Sequence, residues 1–330
     1  MSYIAVIGAG SWGTTLAHLL SQKGSDVSLW VYEKDLAEEI ERTRVNKLYL
    51  PDIKLPETIR VSHQIDEVVN RARYILNVVP AQYTRAVFKE ISPYLSNESI
   101  IISASKGVER KTLMTISSVL KELTGHEVAA LSGPSFAKEV IKNLPTAVTL
   151  ATENRNTGFL LQEVFNTSAF RVYTHGDILG VEIGGALKNV IAIASGISDS
   201  LSLGNNARAS LITRGLAEIT RLGVAMGAVE KTFAGLSGLG DLVLTCTSVL
   251  SRNYTLGIKL GQGMKLKDIL EQTVSVVEGV ETAESAFELS KKYNIEMPIV
   301  EQVSKIIYEG KDPVLAVSDL MSRSLKSEFY

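Results

Sequence analysis

Residues 8–13, with the sequence Gly-Ala-Gly-Ser-Trp-Gly, decide the fold that we predict for this chain. They follow an apolar run at residues 3–7 and precede a helical pattern at residues 14–23. A strand, a glycine turn and a helix form the context in which the spacing G-x-G-x-x-G indicates dinucleotide binding. Gly8 permits the tight turn, Gly10 lets the backbone approach a pyrophosphate, and Gly13 allows the helix to pack closely against the strand.

A second strand pattern at residues 26–31 supports this interpretation, and it is followed by an acidic residue, Glu33. An acid about twenty residues after the glycines is where a ribose-binding carboxylate belongs. The free N–H groups and the dipole at the start of the helix are suited to holding phosphates. The alternative is a glycine turn in some other α/β protein.

The composition sets limits on the class of protein. A chain of 330 residues predicts about two domains of ~150 residues each. The net charge of −2 argues against a nucleic-acid-binding protein. The single cysteine, Cys246, forms no intrachain disulfide and fits a reducing, cytoplasmic compartment. We expect no signal peptide, and no membrane span, because the most apolar stretch, residues 181–198, is short and contains two charged residues, Glu182 and Lys188.

The pattern after the first two strands predicts an α/β fold with a doubly wound, mainly parallel, Rossmann-like sheet. Continuous apolar runs at residues 74–79, 99–104 and 128–131 are typical of buried parallel strands. Further strands are expected at residues 60–62, 147–151 and 170–173, helices at 35–43, 82–94 and 112–123, and a loop at 46–56. Ligands of such a sheet bind at the carboxyl ends of its strands.

Helical patterns dominate from Asp177, which is a candidate N-cap. We therefore predict a dinucleotide-binding domain at residues 1–180 and an all-helical substrate-binding and catalytic domain at residues 181–330. Its helices are expected at residues 178–198, 206–226, 229–233, 239–247, 253–262, 266–271, 280–293 and 297–309.

Three segments carry candidate chemistry. Lys106 directly follows a buried strand; the alternative is a solvated loop lysine. Gly133 and Ser135 belong to a second strand end, where Ser135 is expected to cap the next helix and backbone N–H groups to face an anion; an ordinary capped helix is the alternative. Lys188 lies in an apolar helix with small residues on its own face. An ammonium there has a depressed pKa, as a general base requires, unless it extends to solvent.

Two later segments complete the candidate site. Asp241 follows a glycine-rich loop and is expected to lie beside Lys188; the alternative is a cap on its own helix. Arg252, between Ser251 and Asn253, is suited to clamping a phosphate. We predict no metal site, because the histidines are scattered and the cysteine has no partner at ligand spacing.

With these residues identified, the chain closely resembles the bacterial-type NAD(P)-dependent glycerol-3-phosphate dehydrogenases, almost from end to end. The matching blocks, in the family's order, are GAGSWGT (8–14), SKG (105–107), LSGPSFAKEV (131–140), GALKNVIAIA (185–194), GLGDLVLTC (238–246), SRN (251–253) and VEG (277–279). The resemblance implies reversible hydride transfer between NAD(P)H and dihydroxyacetone phosphate, giving sn-glycerol 3-phosphate for glycerophospholipid synthesis. It also implies a cytoplasmic homodimer.

The resemblance assigns roles to individual residues. Lys188 corresponds to the catalytic acid/base, and Lys106 to a lysine that touches both cofactor and substrate. The other substrate-contact positions are Gly133, Ser135, Asp241, Ser251, Arg252 and Asn253. The cofactor-contact positions, besides the glycines, are Ser11, Trp12, Tyr32, Tyr49, Ala137, Arg252, Val276 and Glu278.

Some positions depart from the family pattern. Tyr32 stands where many members carry arginine or histidine beside the adenine ribose. Tyrosine offers no charge to a 2′-phosphate and Glu33 repels one, so we expect a weakened preference for NADPH. The alternatives are a 3-hydroxyacyl-CoA or 6-phosphogluconate type of dehydrogenase, a non-catalytic redox sensor, and a nucleic-acid-binding protein. The arginine motif argues against the first, the buried lysine with Arg252 against the second, and the absence of a basic patch against the third.

Overall fold

The computed structural model describes residues 3–328, which form a sheet-based N-terminal part and a helical C-terminal part. The strands are β1 (Tyr3–Ile7), β2 (Asp26–Trp30), β3 (Val45–Asn46), β4 (Leu50–Lys54), β5 (Ile59–Ser62), β6 (Tyr74–Asn77), β7 (Ile100–Ser103), β8 (Val128–Ser132), β9 (Thr146–Ala151) and β10 (Phe170–His175). The helices before residue 178 are α1 (Ser11–Gln22), α2 (Lys34–Thr43), α3 (Ile65–Val69), α4 (Ala81–Ile91), α5 (Ile116–Thr124), α6 (Ala137–Val140) and α7 (Arg155–Phe165).

The central sheet has eight strands in the order β10-β9-β8-β7-β6-β1-β2-β5. All neighbouring pairs are parallel except β8 and β9, which are antiparallel. The strands near the centre are apolar along their whole length because helices cover both faces, and Ile4 and Ile7 of β1 are fully buried. The predicted doubly wound, Rossmann-like architecture is therefore confirmed. The change of strand order beside β1 places its carboxyl end, residue 8 onward, where such sheets bind ligands.

Two predictions in this part were wrong in detail. The expected loop at residues 46–56 contains the antiparallel hairpin β3–β4, whose strands pair Val45 with Lys54 and Asn46 with Leu50. The helix expected from residue 112 begins only at Ile116, because Glu109 accepts a hydrogen bond from Thr112 and Leu113 adopts a left-handed backbone. Hydrogen bonds from side chains thus compete with the first helical turn.

The C-terminal part is organised around α8 (Ile178–Ser200). The other helices are α9 (Gly204–Ala225), α10 (Asp241–Cys246), α11 (Arg252–Gly261), α12 (Leu266–Glu271), α13 (Glu278–Lys292), α14 (Pro298–Glu309) and α15 (Pro313–Met321). Asp177 caps α8 as predicted, since its carboxylate accepts a hydrogen bond from the backbone N–H of Gly180 at 2.9 Å. Among residues 3–328, α8 alone is long and apolar enough to cross a membrane, but 83% of its apolar window is buried inside the protein.

Glycines allow α8 and α11 to cross in close contact. A Cβ atom on Gly196 would lie 2.0 Å from the carbonyl oxygen of Tyr254, and one on Gly257 would lie 2.1 Å from that of Ile193. Between α9 and α10, the helix expected at residues 229–233 is a 3-10 helix at Glu230–Ala234, and the helix expected at residues 239–247 begins at Asp241, after a π-helical turn at Leu236–Gly240. The turn leads into α10 at Asp241, which the packing of α11 and α10 on α8 brings close to Lys188.

Buried and charged contacts join the two parts of the chain. Val108, from the loop after β7, is fully buried in the core of the helical part. The carboxylate of Glu182 on α8 accepts hydrogen bonds from the N–H and hydroxyl groups of Ser117 at the start of α5. Arg110 forms ion pairs with Glu281 and Glu284 on α13. These contacts fix α8 against the carboxyl ends of the sheet; the exact division at residue 180 stays a prediction.

Candidate active site

The glycine turn after β1 has the geometry of a phosphate-binding loop. Gly8 has a φ of +113°, and a Cβ atom on Gly13 would lie 1.9 Å from the carbonyl oxygen of Gly8. A side chain at either position would disrupt the turn. A Cβ on Gly10 would meet no atom within 4 Å, so the loop faces open space there.

The start of α1 is free to receive a ligand. No side chain caps it at Gly10, so the N–H groups of its first turn, at Ser11 and Trp12, remain available. The indole N–H of Trp12 is also buried without a hydrogen-bond partner among the described residues. Ala137 opens α6, which packs against α1, and its carbonyl accepts a hydrogen bond from Thr15. These groups fit the pyrophosphate and adjoining parts of a dinucleotide.

The lysines predicted from the sequence meet on one carboxylate. Lys188 Nζ donates to Asp241 Oδ1 at 2.5 Å, and Lys106 Nζ donates to Asp241 Oδ2 at 2.6 Å. Asp241 is 1% exposed and Lys188 is 6% exposed. Lys106 arrives from the end of β7 and Lys188 from α8, so the centre lies between the sheet and the helices. Buried charges of this kind require such pairing, because water is absent to stabilise them.

Thr245 completes the surroundings of Lys188. Its Oγ1 accepts from Lys188 Nζ at 2.8 Å and donates to the carbonyl oxygen of Asp241 at 2.6 Å. An ammonium group has three N–H donors, so one remains for a reacting oxygen. Burial lowers the pKa of Lys188 to about 8; the Asp241 carboxylate opposes that shift, and the nearby Lys106 charge adds to it.

The segment after β8 differs from the prediction in one respect. Ser135 does not cap α6: its Oγ donates to the carbonyl oxygen of Gly133 at 2.9 Å, and residue 136 takes the cap position with no side-chain hydrogen bond. Gly133 has a φ of +144°, which turns this carbonyl toward Lys106 Nζ, 3.0 Å away. The serine was expected as a cap because of its residue type, but the left-handed turn redirects it to its own loop. Gly133 and Ser135 nevertheless lie beside Lys106.

The predicted phosphate clamp stands at the start of α11. Ser251 is the N-cap and accepts from the N–H of Tyr254 at 3.2 Å. Arg252 is exposed and uses one N–H group to donate to the carbonyl oxygen of Val276 at 2.7 Å. Asn253 is buried, donates to Asn189 Oδ1 at 2.9 Å and accepts from the N–H of Gly279 at 2.9 Å. Among residues 3–328, the other guanidinium donors of Arg252 have no hydrogen-bond partner and can meet an anion, whereas Asn253 chiefly joins α11 to α8 and α13.

Glu278 links α13 to the sheet. Its Oε1 accepts from the N–H of Ala81, the first residue of α4, at 3.0 Å. Its Oε2 is buried and has no partner among the described residues. Burial raises the pKa of Glu278 to about 7, while the hydrogen bond from Ala81 and the charge of Arg252 act in the opposite direction. This carboxyl group is thus available to accept from, or donate to, a polar group of a ligand.

The two tyrosines occupy different surroundings. Tyr32 follows β2, is 77% exposed and makes an edge contact with Trp30 at a centroid distance of 6.0 Å. Tyr49 lies on the β3–β4 hairpin and is half-buried. Burial raises the pKa of the Tyr49 hydroxyl; the charge of Glu33 raises it further and that of Arg252 lowers it. Tyr49 therefore lies within electrostatic reach of Glu33 after β2 and of Arg252 on the helical part.

Two polar neighbours of the centre were missed from the sequence. Thr245 lies four residues after Asp241, which puts both side chains on one face of α10 and was the available signal. Asn189 directly follows Lys188, but nothing in the apolar pattern of α8 distinguished it. Within residues 3–328, no group of three or more His, Cys, Asp or Glu side chains has the arrangement of a metal site.

An open glycine turn at a parallel-strand end, with a buried lysine–carboxylate–lysine centre held against the same sheet edge, defines a dinucleotide-dependent dehydrogenase. Comparison with known families identifies which one. Residues 3–158 match the family model described as the N-terminus of NAD-dependent glycerol-3-phosphate dehydrogenase, and residues 177–318 match that of its C-terminus. The chain belongs to this family and is an NAD(P)-dependent oxidoreductase.

Relatives match over nearly their whole length. A glycerol-3-phosphate dehydrogenase [NAD(P)+] of Syntrophotalea carbinolica is 54% identical, with 98% of this chain and 99% of the relative covered. One of Geobacter sulfurreducens is 53% identical, with 98% of each chain covered. The crystal structure of glycerol-3-phosphate dehydrogenase from Coxiella burnetii is 42% identical and superimposes with a TM-score of 0.95, covering 98% of this chain and 99% of that one.

Proposed function

We propose that this protein catalyses the reversible NAD(P)-dependent interconversion of dihydroxyacetone phosphate and sn-glycerol 3-phosphate, with Lys188 as the general acid/base. The observation that carries the proposal is the burial of Lys188 Nζ between Asp241 and Thr245, at 2.5 and 2.8 Å. These two contacts leave one N–H direction for the substrate oxygen. Family membership supports the identity of the substrate and cofactor.

Lys188 has the proton affinity that both directions of the reaction require. With a pKa of about 8, the ammonium form predominates at neutral pH and roughly a tenth of the molecules carry the free amine, a fraction that rises to half at pH 8. In reduction the ammonium donates a proton to the carbonyl oxygen as it becomes a hydroxyl. In oxidation the free amine accepts that proton. The bound nicotinamide dinucleotide supplies or accepts the hydride.

Asp241 and Lys106 hold this centre in place. Asp241 fixes the direction of Lys188 Nζ, and its second oxygen holds Lys106 Nζ at 2.6 Å. Lys106 in turn donates to the carbonyl of Gly133 at 3.0 Å. Its charge lowers the pKa of Lys188 and attracts an anionic substrate. Groups that are already oriented in this way lower the barrier because little rearrangement is needed during reaction.

Arg252 is the proposed phosphate ligand. It is exposed at the start of α11 and has guanidinium donors beyond the one that contacts Val276. The helix start adds backbone N–H groups and a favourable dipole for a dianion. The other proposed substrate contacts near Arg252 and Lys106 are Ser251, Asn253, Gly133 and Ser135.

The dinucleotide is proposed to lie along the carboxyl ends of β1 and β2. The pyrophosphate is proposed to bind at the glycine turn and the start of α1, through Gly8, Gly10, Ser11, Trp12 and Gly13. The adenosine half is proposed to lie beside Tyr32 and Tyr49. The rest of the dinucleotide is proposed to be surrounded by Lys106, Ala137, Arg252, Val276 and Glu278. Because Tyr32 carries no charge and Glu33 is acidic, NADH is expected to be the better cofactor. Replacing Tyr32 with arginine should lower the KM for NADPH.

The wider setting is also a proposal. The product fits a role as the glycerol phosphate precursor of glycerophospholipids, made by a cytoplasmic enzyme. A homodimer is supported by exposed apolar side chains on the helical part, among them Leu203 at 40%, Val224 at 45% and Leu315 at 60%. Analytical ultracentrifugation of the full chain tests the dimer directly.

The first experiment combines purified protein with dihydroxyacetone phosphate and follows the absorbance of NADH and, separately, of NADPH. We expect rapid oxidation with the phosphorylated substrate and almost none with dihydroxyacetone. The ratio of the kcat/KM values for the two cofactors decides the role of Tyr32. A protein that binds either dinucleotide but oxidises neither would refute the proposed reaction.

A further inference from the structure

We propose that Asn46 is a positioning residue for the dinucleotide: it fastens the β3–β4 hairpin to the glycine turn, orienting the Gly10 N–H and Tyr49 together. No role for Asn46 follows from the resemblance or from the centre described above. The inference rests on the proposed dinucleotide site and goes beyond it by naming what shapes it.

Asn46 is fully buried and its amide contacts both structures. Its Nδ2 donates to the carbonyl oxygen of Ala9 at 2.8 Å and to Thr14 Oγ1 at 2.9 Å. Its Oδ1 accepts from the backbone N–H of Tyr49 at 3.2 Å. Both donors and the acceptor of the amide are thereby used, which is the condition for burying such a group without a large cost.

The bond to Ala9 determines where the next N–H points. A trans peptide is planar, so the C=O of Ala9 and the N–H of Gly10 point in opposite directions. Asn46 and Thr14 both hold the Ala9 oxygen on the inner side, at 2.8 and 3.1 Å. The Gly10 N–H is consequently turned away from them, and a Cβ atom on Gly10 would meet no atom within 4 Å. An N–H oriented in advance binds phosphate without paying for its own ordering.

The hairpin is held at its other end by Arg44. Its Nη2 donates to the carbonyl oxygen of Ile59 at 2.7 Å and to that of Pro56, and the Arg44 carbonyl accepts from the N–H of Leu55 at 2.7 Å. Leu55 is 2% exposed and packs in the core beside the sheet. These hydrogen bonds hold the base of the hairpin in place. Through its bonds to Ala9 and Tyr49, Asn46 therefore fixes the positions of Gly10 and Tyr49 on the two sides of the dinucleotide site.

The test is the affinity for NADH, measured by isothermal titration calorimetry, with two variants. Asn46→Asp keeps the shape and the acceptor for Tyr49 but removes the two donors, to Ala9 and to Thr14; Asn46→Ala removes the donors and the acceptor. We expect the Kd for NADH to rise about tenfold or more in each, because the Gly10 N–H is then no longer oriented in advance for the phosphate. The KM for NADH should rise in parallel, whereas kcat at saturating NADH and the KM for dihydroxyacetone phosphate should stay within about threefold.

The matched control is Asn166→Ala, which removes a structural acceptor for the N–H of Val172 at 3.2 Å, in the α7–β10 connection. It should lower Tm without changing the Kd for NADH. An unchanged Kd in Asn46→Asp, or an equal rise in Asn166→Ala, would overturn the inference. Tyr49→Ala combined with Asn46→Ala should lose less affinity than the sum of the single changes; strict additivity would contradict the coupling.

Failure of the proposed function gives a different result. If the wild-type protein binds NADH but does not reduce dihydroxyacetone phosphate, the reaction is wrong while the Kd values still decide the role of Asn46. If the wild-type protein binds neither NADH nor NADPH, the role of Asn46 is refuted as well.

Discussion

The properties of Lys188 come from its neighbours rather than from its residue type. Desolvation alone would strip the proton from a buried amine, and a carboxylate alone would hold it firmly. Here burial outweighs Asp241, partly because Asp241 also serves Lys106, and the resulting pKa of about 8 lies in the working range. Removing any member of such a group is expected to affect the others, so single substitutions there are not additive.

Replacing Lys188 by alanine should reduce kcat by roughly two to four orders of magnitude, the usual contribution of a general acid/base. The Kd for NADH should change little, because the proposed pyrophosphate site is formed by the glycine turn and the start of α1, and Lys188 contributes no group to either. Stopped-flow kinetics and calorimetry on the same preparation measure both quantities. Near-normal turnover would refute the assignment.

The pH dependence of the reaction should have opposite signs in the two directions. Reduction needs the ammonium form, so its rate falls as pH rises through about 8, whereas oxidation needs the free amine and its rate rises there. Asp241→Asn removes the charge that raises the pKa of Lys188 and should shift both profiles to lower pH. Profiles of kcat in both directions measure this; coincident slopes would contradict it.

Arg252→Ala should raise the KM for dihydroxyacetone phosphate by about 10–100-fold, since a charge-assisted contact to a phosphate contributes about 1.5–3 kcal/mol. Because the side chain is exposed and its one hydrogen bond within residues 3–328 goes to the carbonyl of Val276, stability should hardly change. Steady-state kinetics and thermal unfolding test the two statements. An unchanged KM would place the phosphate site elsewhere.

At the level of elements, the helices differ in whether side chains use the N–H groups at their starts, and this distinguishes ligand-binding helix starts from structural ones. α1 begins at an uncapped glycine, which leaves its N–H groups for a ligand. α8 begins at Asp177, whose second oxygen also accepts from Val229 N–H at 2.9 Å and Thr232 Oγ1 at 2.6 Å. α14 is capped by another helix: Glu218 of α9 accepts from Ile299 N–H at 2.8 Å and Val300 N–H at 3.2 Å.

The Glu218 cap predicts a pH-dependent stability. Burial raises the pKa of Glu218 from its ordinary value of 4.5 to about 7, although both hydrogen bonds oppose the shift. A raised folded-state pKa gives stability that is present below pH 4.5 and lost as pH rises through 7. The free energy of unfolding of the wild type, relative to that of Glu218→Gln, should thus decrease by on the order of 3 kcal/mol as the pH rises from 4.5 to 7. Urea unfolding across pH 4.5–8 measures it, and a constant difference would refute it.

At the scale of the whole molecule, the loop that carries Lys106 belongs to both parts of the chain. Lys106 follows β7, yet Val108 is buried in the core around α8. The carbonyl oxygen of Val108 accepts hydrogen bonds from Gln82 Nε2 of α4 at 2.8 Å and from Ser285 Oγ of α13 at 3.3 Å. Sheet and helices are consequently expected to unfold together, and the position of Lys106 depends on their contact.

Val108→Ala should lower the free energy of unfolding by on the order of 2 kcal/mol and should also reduce kcat/KM, because the cavity loosens the loop that bears Lys106. The control is Val27→Ala, whose fully buried side chain lies in the core of the sheet part. It should cost similar stability with little effect on kinetics. Chemical denaturation and kinetics compare the two; equal kinetic effects would argue against the shared loop.

The sequence by itself determined the fold class and indicated the candidate residues of the site. The spacing of Gly8, Gly10 and Gly13 after an apolar run predicted the first β-α unit, because each glycine lies where a side chain would clash with the turn, a ligand or the neighbouring strand. Lys188 in an apolar helix and Asp241 after a glycine-rich loop were found the same way, since composition and spacing within one segment carry that information.

Only the tertiary structure decided which groups meet. The sharing of Asp241 by Lys106 and Lys188, the capping of α14 by Glu218, and the fastening of Asn46 to Ala9 join residues that are distant in the chain. The sequence predicts a loop at residues 46–56, where the structure has the β3–β4 hairpin, and a cap at Ser135, which the structure does not use. Both differences arise because short segments take their conformation from distant partners. Local patterns determine elements, whereas long-range packing sets the hydrogen bonds and pKa values of the site.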